Sequence, residues 1–212
     1  MTDNRTNQKK CTSIHGKNGV GLNDVMDSIL IFSVGMLAIA AIQSVSKQSN
    51  YEAIQRTNAS LYAYDLFERM RMNSYAEGDS PYPPLSYYVD SSTVVMSYSG
   101  PLVGTTSTCA STDLYCLLAQ EDLTTWQNML RGNAETTASG NVGGLVQPTA
   151  CLSGPGGGAS GQYRLTIAWR GQTKITNQSA NTCGEGTNLY DDAAANDFAY
   201  RRILVLNTYL NY

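Results

Sequence analysis

The sequence predicts an α+β fold: one long N-terminal helix packed on a head made of an antiparallel β-sheet and one further short helix. Three observations carry this. The segment Ser28–Ser46 runs without a single charge. From Lys47 to Asn73 there is neither proline nor glycine, and apolar residues recur at helical offsets. The β-branched and aromatic runs come only afterwards, so helix and strands are segregated along the chain.

The charge-free run, as helix at about 1.5 Å per residue, spans about 28 Å, close to the hydrocarbon thickness of a bilayer. Residues 1–19 carry a net charge of +3 and residues 20–212 a net charge of −6. Basic residues ahead of the run predict a cytoplasmic N-terminus and an exported remainder. A buried core helix seldom stays uncharged for so long. A secretory signal peptide is a further reading, with Ala38-Ile39-Ala40 as its cleavage site. Against it, Asp24 and Asp27 stand at the mouth of the run, and the helical pattern continues past that site.

In that continuation Ala59, Tyr62, Ala63, Leu66 and Met70 make one apolar stripe, and Glu52–Arg56 and Asp65–Arg69 are favourable i,i+4 pairs. Helix is therefore expected from about residue 21 to 73, about 80 Å in length. The segment Glu77–Pro84, with three prolines, cannot continue it. Strands or extended loop are expected at Ser86–Asp90 and Thr93–Ser99. A second helix is expected after an N-cap at Ser111 or Thr112. Leu114, Leu118, Leu123, Trp126 and Leu130 form its apolar side, and Gly132 ends it. Residues 132–161 hold nine glycines and read as a loop. Within it Gly156–Gly161 satisfies Gly-x-Gly-x-x-Gly, but a strand follows instead of a helix, so it reads as a turn and not a phosphate cradle. Gln162–Arg170 alternates as a half-buried strand with Tyr163, Leu165, Ile167 and Trp169 inward, and Arg201–Tyr209 reads as the last strand.

Composition narrows the function. The chain has 212 residues and a net charge of −3, without the basic excess of a nucleic-acid binder. Its single histidine, His15, lies near the N-terminus. Histidine-dependent nucleophilic catalysis and histidine metal sites are thus not expected of the head, and no cofactor is expected. An exported hydrolase or binding protein with one anchor is the rival from another class; as a hydrolase it would need paired carboxylates. Asp191, Asp192, Asn196 and Asp197 offer oxygen ligands for calcium, although their spacing matches no named motif and a polar loop is the plainer reading.

Two sets of residues carry a family resemblance. Gly19-Val20-Gly21-Leu22-Asn23-Asp24-Val25, after a short basic leader, resembles the processing signal of type IV prepilins. Val20, Gly21, Asn23 and Asp24 depart from its usual Phe, Ser/Thr, aliphatic and Glu residues. Asp65-Leu66-Phe67-Glu68-Arg69-Met70-Arg71-Met72-Asn73 resembles the end of the long helix in the PilV family of minor pilins. Asp122–Leu130 with Trp126, followed by Gly143-Gly144, and Tyr163–Arg170 with Trp169, resemble later segments of that family in the same order.

The resemblance implies a type IV pilin-like fold with three parts: a leader, 1–19; a long helix, 20–73, whose part 20–46 is transmembrane and part 47–73 amphipathic; and a head, 74–212. It implies cleavage after Gly19 by a prepilin peptidase and N-methylation of Val20. It also implies that Asp24, with Asp27 one turn on and Leu22 and Val25 beside it, takes part in assembly by meeting a neighbouring subunit's N-terminus. The implied partners are other minor and major pilins and the inner-membrane assembly platform. The implied role is to prime the pilus, in a family whose members can sit at its tip, in support of twitching, adhesion and DNA uptake. A type II secretion pseudopilin shares the leader and helix and is the nearest rival.

Cys11 falls in the leader, leaving Cys109, Cys116, Cys151 and Cys183. In an exported protein this even set predicts two disulfides, with three possible pairings. Cys109–Cys116 with Cys151–Cys183 is preferred because each closes a compact segment. The spacing of Cys109 and Cys116 is unlike that of a zinc knuckle.

Overall fold

The structure, a computed structural model, describes residues 19, 21–74, 84–89, 93–96, 102–103, 109–110, 112–133, 135–138, 140–141, 143–176, 180–192 and 198–211. The chain divides into two compact units, Met1–Ser46 and Lys47–Tyr212. Within the first, the described residues from Leu22 onward form continuous helix, and every one of them is exposed. This helix, α1 (Leu22–Met72), is long and apolar enough to cross a membrane by length and composition, and its most apolar window has nothing packed on it.

The second unit is α+β. The later part of α1 and a second helix, α2 (Leu114–Arg131), share a core with one face of a five-stranded sheet. Its strands are β1 (Thr93–Met96), β2 (Leu102–Val103), β5 (Thr149–Ser153), β6 (Gly161–Arg170) and β7 (Arg201–Leu210), in the order β2-β1-β5-β6-β7. Every neighbouring pair is antiparallel. A small hairpin, β3 (Thr136–Thr137) with β4 (Gly140–Asn141), stands apart.

The stripe on α1 buries as its period dictates. Ala59, Ala63, Leu66 and Met70 are in the core, Tyr62 lies at its margin, and Gln55 and Phe67 extend the buried face. The second helix differs from expectation at its start. Asp113, not Ser111 or Thr112, is the N-cap, its carboxylate accepting from Cys116 N–H at 3.1 Å. Leu114 and Leu118 are 74% and 49% exposed. The buried side runs instead through Cys116, Ala119, Leu123, Trp126 and Leu130, because two small residues let the first turns approach the core closely. The end is at Gly132, with φ 72°, as read from the sequence.

The segment expected as strand or extended loop at Ser86–Asp90 begins within a 3-10 turn, Pro84–Tyr87, followed by buried Tyr88 and Val89. Asp90 itself lies outside the described residues. The glycine-rich loop hides β5, an interior strand of the sheet. The half-buried alternation of β6 holds at its start but fails further on, where Thr166 and Ala168 are buried as well. The segment 180–192 covers that second face. Cys183 is bonded to Cys151 of β5, and Tyr190 places its hydroxyl within reach of Gln147 O (2.9 Å), Thr149 Oγ1 (2.9 Å) and Ala168 O (3.2 Å). Both disulfides, Cys109–Cys116 and Cys151–Cys183, are formed.

Candidate functional site: an uncovered helix and the joints behind it

Two groups of residues drew functional expectations, and the structure places them on different parts of α1. The first group stands where the helix begins. Gly21 precedes its first turn, and Asp24 is the third helical residue. Gly21 N–H donates to Asp24 Oδ2 at 3.2 Å, the acidic half of a capping box. The acid also sits among the unpaired amides of a helix N-terminus, where negative charge is favoured. Ser28 Oγ donates to Asp24 O at 2.6 Å. Leu22, Val25 and Asp27 are exposed on the same turns, and Gly19 is exposed ahead of them. Val20 and the leader residues 1–18 lie outside the described residues.

From Leu22 to Val45 the exposed large apolar residues point in every direction around the helix axis; Ile29, Leu30, Ile31 and Phe32 alone cover a full turn. A helix that is apolar all round is stable only where something apolar surrounds it, either lipid or other helices. Among the described residues, nothing in this chain covers its most apolar window.

The second group, Asp65, Glu68, Arg69, Arg71 and Asn73, joins α1 to the rest of the second unit. Arg69 Nε donates to Asp65 Oδ2 at 2.8 Å, the expected i,i+4 pair, and its Nη1 donates to Asp122 Oδ1 of α2 at 3.1 Å. Tyr88 donates its hydroxyl to the other oxygen of Asp122, and Asn73 Nδ2 donates to Tyr88 Oη at 3.3 Å. Burial, together with the Asp122 carboxylate, pushes the Tyr88 phenol far above its usual range. Arg71 Nη1 donates to Glu68 Oε1 at 2.5 Å, and its Nη2 reaches Thr208 Oγ1 of β7 at 3.2 Å. Trp126, buried in α2, donates Nε1–H to the Tyr62 carbonyl at 2.7 Å. Trp169 is buried in β6 on the core face.

The Gly143-Gly144 segment caps α2. Leu145 N–H donates to Leu130 O at 2.9 Å, and Gln55 of α1 bridges Gly144 O (3.3 Å) and Val146 N–H (3.2 Å). A Cβ on Gly144 would lie 2.4 Å from Gly132 N, so these two backbones meet only because both positions lack side chains.

One joint differs from the sequence expectation. Glu52 does not turn to Arg56. It takes Arg202 of β7 in a two-pronged pair and accepts from the Gln172 and Thr173 amides and the Thr173 hydroxyl. A residue 150 positions away gives no sequence signal that local spacing would reveal.

Among the described residues no group of three or more histidines, cysteines or carboxylates is placed to hold a metal ion. Asp191 Oδ1 accepts from Phe198 N–H at 3.1 Å and Asp192 is paired with Lys174; Asn196 and Asp197 lie outside the described residues. No protein-family model, curated protein or solved structure matches the chain.

Proposed function

We propose that the protein is a minor pilin of the PilV type, which primes assembly of a type IV pilus and takes a place at or near its tip. It is held in the bacterial inner membrane by the first half of α1 with its N-terminus cytoplasmic, cut after Gly19 by a prepilin peptidase, and methylated on Val20. The assembly platform then extracts it into a fibre of other minor and major pilins, where it supports twitching, adhesion and DNA uptake.

The observation that carries this reading is the bare helix from Leu22 to Ser46, apolar on every side, with one acid held at its first turn. Lipid covers such a surface before assembly and neighbouring helices cover it afterwards. The same residues thus serve as anchor and as fibre core, and Asp24, with Asp27 one turn on, is the charge in place to meet a free α-amino group there. The role is positional, not catalytic. Further support comes from the segment 65–73, whose polar side chains join α1 to α2 and β7 as a motif marking a helix-to-head joint should.

N-terminal sequencing of the protein purified from membranes of a piliated host tests the reading. A start at Val20 is the expected result. A start at Ala41 would make the helix a signal peptide, and a start at Met1 an uncleaved anchor; either overturns the proposal.

A further inference from the structure

The sheet ends on one side at β7, and this edge lacks the usual features that keep sheet edges apart. β7 pairs with β6 over its full length, from Gly161↔Leu210 to Arg170↔Arg201. Arg170 N–H donates to Val146 O and Arg201 N–H to Phe198 O, so the Arg170–Arg201 pair exchanges no hydrogen bonds. Antiparallel pairing alternates bonded and non-bonded pairs. The even residues Arg202 to Leu210 therefore bond to β6, and Ile203, Val205, Asn207 and Tyr209 turn their N–H and C=O groups outward. Among the described residues, no backbone group outside the sheet bonds to these four.

Their side chains lie on the face opposite α1. Val205 is 42% and Tyr209 64% exposed, and Asn207 is held by Arg164 Nε at 3.0 Å. From Ile203 to Asn211 there is no charge and no proline. Edge strands of self-contained sheets are normally short, or carry lysine, proline or a bulge, because a long bare edge recruits another strand.

We propose that the outer edge of β7 receives an extended, uncharged segment of a different polypeptide as an added strand. Only extended backbone presents donors and acceptors at the repeat of the four outward residues. The incoming segment is uncharged because residues 203–211 carry no charge of their own, and the arginines that touch the strand are already engaged, Arg71 by Glu68, Arg164 by Asn207 and Arg202 by Glu52.

A second copy of this chain does not fit the place. Among the described residues the other edge, β2, is Leu102–Val103, two residues against the ten of β7. In symmetric self-pairing, outward residues face outward residues, which requires the two β7 strands to be antiparallel. Because α1 runs beside β7 in the same sense, with Glu52 at Arg202 and Arg71 at Thr208, the two α1 helices would be antiparallel too. Copies inserted into one membrane from one side hold these helices parallel; this last exclusion rests on the pilin reading.

The test uses the full chain in detergent micelles and fluorescent, end-capped peptides of about ten residues alternating valine and threonine. One peptide is plain, one is N-methylated at alternate amides, and one carries glutamate at alternate positions. The plain peptide is expected to bind saturably, and each modified one at least about tenfold more weakly. Val205→Pro removes an outward N–H that β6 does not use. It should weaken the plain peptide at least about tenfold with the melting temperature nearly unchanged. Tyr209→Lys, which leaves the backbone alone, should do the same, whereas Leu204→Pro, which removes a bond to β6, should lower the melting temperature. Absence of binding, equal binding of all three peptides, or a dimer of the full chain dispersed by Val205→Pro would each overturn the proposal. A mature protein starting at Met1 with peptide binding intact would instead overturn the pilin reading alone.

Discussion

Glu52 on α1 and Arg202 on β7 form a two-pronged ion pair, Nε to Oε2 at 2.9 Å and Nη2 to Oε1 at 2.8 Å, across 150 residues of sequence. Arg202 Nη2 also donates to Thr173 O at 2.8 Å, so one guanidinium gathers helix, strand and loop. Planar guanidinium matches carboxylate with two parallel bonds, and a lysine at 202 would keep the charge but lose that geometry.

This pair makes the protein acid-sensitive in a defined way. Burial raises the Glu52 pKa, but the Arg202 and Thr173 hydrogen bonds and the Arg202 charge outweigh it and leave the carboxyl below 4.5. A group with a lowered folded-state pKa contributes stability that is present above its unfolded value and lost as pH falls through the folded one. Glu52→Gln should therefore cost about 2 kcal/mol at neutral pH and flatten the decline in melting temperature below pH 4.5. Arg202→Lys should fall between wild type and Glu52→Gln. Thermal melts of the three proteins across the acid range check this. An unchanged acid limb in Glu52→Gln would show that another carboxylate sets it.

The two disulfides should contribute unequally. Cys109–Cys116 spans 7 residues and Cys151–Cys183 spans 32. By loop-closure entropy the short bridge is worth about 2 kcal/mol and the long one about 4 kcal/mol. The long bridge also holds the segment over Thr166 and Ala168, so its loss uncovers the second face of β6. Denaturant titration of the double alanine variants should rank Cys151→Ala/Cys183→Ala below Cys109→Ala/Cys116→Ala. The reverse order would mean that the cover is held by the Tyr190 hydrogen bonds instead.

What could be read from the sequence follows a physical divide. The long helix was legible because its signals are local: a charge-free run, then a stripe of Ala59, Ala63, Leu66 and Met70 at a 3.6-residue period. The strands β6 and β7 were legible for the same reason. β5 was not, because five residues, Thr149–Ser153, between glycine-rich turns are too few to show a period. The burial of Thr166 and Ala168 was equally hidden, since it depends on a cover, 180–192, whose own sequence has no periodic signal. At the candidate site the acid at position 24 and the bare helix were legible, whereas the Arg69–Asp122–Tyr88 joint and the Glu52–Arg202 pair were not. Pairs between distant segments depend on topology, and spacing along the chain carries no trace of them.

The Tyr190 hydroxyl contributes to the alkaline limit, alongside the Tyr88 phenol, which is shifted in the same direction. Burial pushes its pKa from 10.0 up to about 12. A raised folded-state value gives stability that is complete below 10.0 and is lost as pH rises from there toward about 12, because the unfolded chain ionises first. Tyr190→Phe should lower stability at neutral pH by about 1 kcal/mol through the lost hydrogen bond, yet lose less than wild type above pH 10. Chemical denaturation at a series of alkaline pH values decides it. Parallel curves for the two proteins would remove Tyr190 from the explanation.

The assembly role of Asp24 gives the last prediction. In the isolated chain its carboxylate accepts from Gly21 N–H, a contact worth a few tenths to about 1 kcal/mol, far too little to matter to a helix of this length. If capping were its whole purpose, Asp24→Asn would be silent, because asparagine offers the same acceptor. If the acid meets a neighbouring subunit's α-amino group in an apolar fibre core, losing its charge leaves that amine buried and unpaired, at a cost of about 3–5 kcal/mol. Asp24→Asn should then be processed normally and accumulate in the membrane, while pili counted by electron microscopy under limiting expression fall severalfold. Asp24→Glu, longer by one methylene, should match or exceed wild type. Normal fibre numbers in Asp24→Asn would reduce this residue to a helix cap and leave the fibre without its proposed alignment contact.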